Sequence, residues 1–287
     1  MLRLLLVAGT LLFVIVALTL GAGARLSAPA ARSVGPPPAG WDAEPVSIAE
    51  APGEAVAGWF LQGEPGHGCV LLLHGIRSDR RQMLGRAAFL HAAGHCVMLI
   101  DLPAHGESTG ARIAFGHREA RAVATALRQL RQRMPQERIG VVGVSLGAVA
   151  FVLAEDRPAV HAVVLESMVP TLHEAVSNRL RMRWGEAGTL LTPLLLGQMP
   201  LWLGVGADRL RPIDRMDALG APVFIVSGTR DRHTTIEQTR RLHAAATPPK
   251  LLWEVDGAGH VDLHAFARSA YETRLLAFFR AHLRTLD

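Results

Sequence analysis

Six short runs of almost uninterrupted apolar residues recur along this chain, with stretches of helical periodicity between them. They are "CVLLLHG" (69–75), "CVMLIDL" (96–102), "RIGVVGV" (138–144), "HAVVLES" (161–167), "APVFIVSG" (221–228) and "KLLWEVDG" (250–257). A strand covered on one face alternates apolar and polar residues, whereas a strand covered on both faces need not. The first two runs therefore read as buried strands, and the other four also read as strands. The segments between them, among them "DRRQMLGRAAFLHAAG" and "REARAVATALRQLRQRM", carry helical spacing. Gly94 suits a helix C-terminal cap, and Pro135 stops the second helix. Strands alternating with helices predict an α/β fold, a mostly parallel sheet with helices on both faces. Ahead of them, "EPVSIA" and "VAGWFLQ" read as two short antiparallel strands.

The alternation breaks between Met168 and Leu219, where apolar clusters such as "LLTPLLLGQMPLWLGVG" show no strand pattern. Ligands of parallel sheets bind beyond the carboxyl ends of the strands. The interruption at 168–219 thus reads as a short helical cap over that edge. Its apolar residues Leu190, Leu191, Leu194, Leu195, Leu196, Leu201, Trp202 and Leu203 are expected to bury there, with Leu195 and Trp202 contacting substrate.

Leu4 to Ala24 carry no charge and are flanked by Arg3 and Arg25. That length can cross a bilayer as a helix and exceeds an ordinary signal-peptide core. Residues 1–25 read as an uncleaved membrane anchor in preference to a signal sequence, although Ala22-Gly23-Ala24 has the small residues of a cleavage site. Either reading exports the rest of the chain. Residues 26–43, with "GPPPAG", read as an extended linker, and 44–287 as the main domain.

The formal charge of +5 comes from dispersed arginines with a single lysine, Lys250. Aromatics are not interleaved with them, which argues against a nucleic-acid partner. The two cysteines, Cys69 and Cys96, lack metal-ligand spacing, and no metal or cofactor is expected. If their strands are neighbours the sulfurs could approach, and an exported protein could oxidise them. Two buried, unpaired small hydrophobes are the preferred reading.

"GVSLG", residues 143–147, follows the strand "RIGVV" and precedes the helical run "AVAFVLAEDRP". A serine on a sharp strand-to-helix turn needs small neighbours, the physical basis of G-x-S-x-G. Ser145 is the candidate nucleophile. Serine needs a base, and in this arrangement the order is serine, acid, histidine. His260, in "DGAGHVD" after a late strand, is the candidate base. Asp231, in "SGTRDRHT", is the candidate orienting acid, with Glu166 in reserve. Two backbone N–H groups should hold the oxyanion: Leu146, after the nucleophile, and Ile76, after "LLLHG". His74 reads as structural. His105 and Ser108 read as residues that shape the loop after "CVMLIDL".

Taken together, "LLLHGIRSDRRQML", "LIDLPAHGES", "GVSLG", "SGTRDRHT" and "GAGHVD" resemble successive signatures of the α/β-hydrolase superfamily, from about Val46 to Leu283. The match is nearest to its serine-aminopeptidase and monoacylglycerol-lipase-like branch. The resemblance implies an eight-stranded sheet, a Ser145-His260-Asp231 triad and metal-free cleavage of esters, amides, thioesters or peptides. Two departures concern substrate: "LPAHG" has Pro-Ala where many relatives have Arg-Gly, and the cap is short. The expected activity is hydrolysis of a carboxylic ester with a small-molecule, lipid-like substrate. Peptidase or acyltransferase action on the same residues, and a non-catalytic envelope binding protein, are the rivals. A peptidase would need acidic cap residues to hold an amine, for which Glu174 and Glu186 are the candidates.

Overall fold

A computed structural model describes residues 1–51 and 53–284. Eight strands form one sheet: β1 (Ala43–Ala51), β2 (Glu54–Leu61), β3 (Cys69–Leu73), β4 (Cys96–Ile100), β5 (Ile139–Val144), β6 (Ala162–Glu166), β7 (Val223–Gly228) and β8 (Lys250–Val255). Their spatial order is β1-β2-β4-β3-β5-β6-β7-β8. β2 is antiparallel to both neighbours, and every other pairing in the sheet is parallel.

The helices explain why the strand runs are continuously apolar. Val70 and Leu72 of β3 pack in one cluster with Leu90 of α2 (Leu84–Ala92) and Phe279 of α10 (Arg268–Leu283). Leu71 and Leu73 of the same strand pack on the opposite face with Leu127 of α3 (His117–Arg133) and Val149 of α4 (Leu146–Leu153). Every residue of β3, β4, β5, β6 and β7 is buried. Deleting one such side chain to Ala would cost about 2–5 kcal/mol. α8 (Ile236–Ala245) and the short α9 (Leu263–Phe266) complete the main domain.

Cys69 and Cys96 open β3 and β4, are register partners, and are joined by a disulfide with their Cα atoms 4.5 Å apart. This corrects the preferred sequence reading of two unpaired thiols. Neither strand betrays its register alone; the parallel pairing puts both sulfurs on one rung.

The cap holds α5 (Leu172–Gly188), α6 (Thr192–Gly197) and α7 (Met199–Leu203). α5 is interrupted by non-helical backbone at Trp184 and Gly185. Leu195, Leu196, Trp202 and Leu203 turn to the sheet's carboxyl edge. Leu190 and Leu201, at 80% and 77% exposure, and Leu194 at 38%, do not, so the expectation that all the cap's apolar residues bury is corrected. Short helices present more than one face, and only one can meet the domain.

α1 (Leu2–Leu26) is a single helix about 38 Å long. Leu6, Val7, Leu11, Phe13 and Leu18 stand exposed along it. Residues 27–41 contain no helix, yet they are not a free tether. Ala30–Ala31 pair in parallel with His105–Gly106, and Glu107 accepts hydrogen bonds from the backbone of Val34 (3.0 Å) and Gly35 (3.1 Å).

Candidate active site

β5 ends at Val144, and Ser145 follows it with φ 50° and ψ −106° before α4 begins at Leu146. A side chain held in that region costs about 1–3 kcal/mol, which the surrounding packing must offset. Its flanking glycines are required by close approach. A Cβ at Gly143 would lie 2.6 Å from the Ala148 backbone, and one at Gly147 would lie 2.5 Å from the Leu73 carbonyl oxygen. The turn is pinned by Ser145 N–H donating to the Glu166 carbonyl (2.8 Å) and Val149 N–H donating to the Ser145 carbonyl (3.0 Å). Ser145 therefore stands at the carboxyl edge of a central strand, at the positive end of a helix.

Asp231 lies in the loop after β7 and is 4% exposed. One oxygen, Oδ1, accepts from the backbone N–H of His233 (2.8 Å) and Thr234 (2.9 Å). The other, Oδ2, is 2.7 Å from Nδ1 of His260, in the loop after β8. An ionised carboxylate only accepts, so Nδ1 carries the proton and Nε2 keeps a lone pair. The His233 ring lies against that of His260, centroids 4.8 Å apart. Burial, together with Arg179 and His260 nearby, lowers the His233 pKa and favours its neutral form.

Ser145 and His260 line one cavity of about 260 Å³, walled mainly by apolar side chains. Ile76 and Leu146 border it, as do the cap residues Leu195 and Trp202. The backbone N–H groups of Ile76 and Leu146 have no protein partner among the described residues, whereas Gly75 N–H donates to Gln82 Oε1 (2.7 Å). The arrangement can thus offer a hydroxyl, an imidazole lone pair, a buried carboxylate behind it and two free N–H donors around one apolar hollow. Such a set is chemically competent for acyl transfer.

The sequence candidates outside that set have other partners. Glu166 forms a buried ion pair with Arg86 at 2.7 and 3.0 Å and accepts from the Tyr271 hydroxyl, so it is not the carboxylate beneath His260. His74 is fully buried. Its Nε2 accepts from Leu102 N–H (2.9 Å) and its Nδ1 donates to the Gly75 carbonyl (2.7 Å), with burial pushing its pKa to about 3. Ser108 bridges the Asp101 carbonyl (2.6 Å) and the Ala57 N–H (2.9 Å), and His105 Nδ1 bonds the Pro103 carbonyl (2.9 Å). Sequence reasoning missed Arg179 of α5 and three residues near the end of α1, Gly23, Leu26 and Ser27, all of which line the cavity. Helical phase within a cap and the docking of a remote helix leave no local signal.

The sequence profile of the alpha/beta hydrolase family matches residues 70–272, more than half of the chain. The chain belongs to the alpha/beta hydrolase family. An uncharacterised relative, Rv2307c of Mycobacterium tuberculosis, is 31% identical over 228 residues, covering 78% of this chain and 74% of its own. YqkD of Bacillus subtilis, also uncharacterised, is 21% identical over 238 residues, 80% of this chain and 77% of its own. Among solved structures, the Pyrococcus furiosus esterase Pf2001 superposes with a TM-score of 0.72 at 20% identity, covering 90% of this chain and 98% of that one. A bromoperoxidase from Bacillus anthracis superposes with a TM-score of 0.60 at 16% identity, over 83% of this chain and 100% of that one. Neighbours with such different activities establish the alpha/beta hydrolase fold; a specific chemistry has to be argued from the residues.

Proposed function

We propose that the protein is a serine hydrolase that cleaves carboxylic esters with an apolar acyl group. The observation that carries this reading is the 2.7 Å hydrogen bond from His260 to buried Asp231, with His260 and Ser145 on the same apolar cavity. Ser145 Oγ attacks the ester carbonyl carbon, and His260 Nε2 takes the hydroxyl proton. Asp231 holds the imidazole in the tautomer that leaves Nε2 free and stabilises the imidazolium as it forms. The Ile76 and Leu146 N–H groups receive the oxyanion. His260 then returns the proton to the departing alcohol, leaving an acyl-Ser145 ester. Water, deprotonated by the same imidazole, attacks that ester, and His260 returns the proton to Ser145 Oγ as the acyl–oxygen bond breaks and the acid is released. No step calls for a metal or cofactor.

The lining favours an ester over an amine-bearing peptide. Arg77 and Arg179 border the cavity and no Asp or Glu does, among the described residues. Glu174 pairs with Arg241 at 3.0 Å and Glu186 with Arg181 at 2.6 Å, and neither lines the cavity. The Cys69–Cys96 disulfide and the apolar α1 both support a membrane-anchored enzyme with its catalytic domain in an oxidising compartment.

A fluorophosphonate probe and a series of p-nitrophenyl esters test the reading on the full-length protein. Wild type should be labelled and Ser145→Ala should not. Each added methylene buried in the cavity contributes about 0.8 kcal/mol, or about fourfold in kcat/KM, until the cavity is full. An unlabelled wild type, with no ester turned over, would leave a binding protein on a hydrolase scaffold.

A further inference from the structure

The last turn of α1 meets the same cavity as Ser145. Gly23, Leu26 and Ser27 line it together with Ser145, His260 and Trp202. This turn is fastened to the catalytic domain at several points. Gln198 of the cap donates from Nε2 to the Thr19 carbonyl (2.8 Å), while its Oε1 accepts from Trp202 Nε1 (3.0 Å). Gly23 packs so closely on Gln198 that a Cβ there would run into the glutamine amide. Ile113 N–H donates to the Ser27 carbonyl (2.8 Å), and Arg112 reaches the Ser27 hydroxyl (3.1 Å).

A second set of contacts ties α1 to the loop that carries Ile76. Carbonyls at a helix C-terminus have no partner within the helix. Here Arg77 supplies one, donating from Nη2 to the carbonyls of Arg25 (2.6 Å) and Leu26 (3.0 Å). Arg32, just beyond the helix, donates in return to the Arg77 carbonyl (2.8 Å). Arg77 itself has φ 58°, an unfavourable conformation for a residue with a side chain. The segment from Arg25 to Arg32 thus holds Arg77 from both ends, one residue from a proposed oxyanion donor.

We infer that α1 is a working wall of the acyl site as well as an anchor: it is retained in the working enzyme, its last turn closes the cavity over Ser145, and the substrate is a membrane amphiphile carrying an acyl ester. The inference rests on reading the cavity as the acyl site of a serine hydrolase. Its geometry follows from position. The apolar exposed part of the helix, from Leu6 to Leu18, ends where the cavity begins, so an inserted α1 brings the mouth to the membrane surface. Leu26, 44% exposed, sits where an acyl chain leaving the bilayer would enter. The cavity of about 260 Å³, slightly smaller than the roughly 300–1,000 Å³ of small-molecule sites, is walled mainly by apolar side chains, as an acyl chain requires. Removal of the helix after Ala24, at the small-residue stretch Ala22-Gly23-Ala24, would take away Gly23 and the Thr19 contact together.

The test uses full-length protein in phosphatidylcholine vesicles and p-nitrophenyl esters from butanoyl to hexadecanoyl. Leu26→Trp narrows the mouth and should move the preferred acyl length to shorter chains. Leu26→Ala removes apolar contact and should lower the preference for dodecanoyl over butanoyl by about tenfold. Leu18→Trp, on the exposed part of the helix, should leave the wild-type profile in place. Mass spectrometry of the membrane-extracted protein should find the α1 peptide attached. If both Leu26 variants keep the wild-type chain-length profile while fluorophosphonate still labels Ser145, the wall is refuted and the hydrolase reading stands. A mature N-terminus at Arg25 would likewise overturn the proposal. Failure of the wild type to label removes the underlying reading instead.

Discussion

Replacing Glu166 by Gln separates a structural carboxylate from a catalytic one. Glu166 and Arg86 are each 1% exposed, and the guanidinium grips both carboxylate oxygens, at 2.7 and 3.0 Å. The Tyr271 hydroxyl donates to the same carboxylate. Asp262 stands 2.9 Å from Arg86 and is 38% exposed. Gln keeps the size of Glu166 and removes its charge, leaving Arg86 with Asp262 alone. Breaking a buried ion pair costs about 3–5 kcal/mol when the surviving charge is left bare. Because Asp262 remains, the loss should sit at the lower end, near 3 kcal/mol. With an m-value of about 3 kcal/mol/M, the urea midpoint should fall by about 1 M. The assay is urea unfolding of the full-length protein in mild detergent, followed by tryptophan fluorescence, beside ester hydrolysis on the folded fraction. Hydrolysis should persist, because His260 is bonded to Asp231 and not to Glu166. A midpoint within about 0.2 M of wild type, combined with lost hydrolysis, would refute the argument and make Glu166 the catalytic acid.

Ser145→Ala, His260→Ala and Asp231→Ala should each lower ester hydrolysis by several decades with the unfolding midpoint little changed, measured by initial rates and urea titration. His74 supplies a pH prediction. Its folded pKa of about 3 lies below the unfolded value of about 6.5. Its effect on stability is therefore absent above pH 6.5 and grows as the pH falls toward 3, up to about 5 kcal/mol. Urea midpoints measured from pH 7 to pH 4 should decline, and His74→Gln should decline less steeply. Reducing the Cys69–Cys96 disulfide, which closes a separation of 27 residues, should cost about 3–4 kcal/mol in unfolding assays with and without reductant. A high-salt wash should leave the protein in the membrane fraction, since salt does not screen the insertion of an apolar helix.

The strands, the helices between them and the serine turn could be read from the chain because each rests on local chemistry. Burial on both faces forces continuous apolar runs such as "VLLL", and a strained turn forces the glycines around Ser145. Asp231 and His260 were legible for a related reason: each follows an identifiable strand, and the parallel topology brings the loops at those ends together. What the chain alone did not determine depends on register and docking. Whether Cys69 meets Cys96 turns on two parallel strands being in register, to which neither sequence run is sensitive. Glu166 reads as a free strand-end acid until Arg86 and Tyr271, from two distant helices, are packed against it. Which cap leucines face the cavity depends on the phase of helices only a turn or two long. The end of α1 reaches Ser145 through Gln198, Arg77 and Arg112, contacts between 51 and 179 residues apart in the chain. Local propensity and periodicity act over a few residues, whereas these contacts exist only once the sheet has placed their partners side by side.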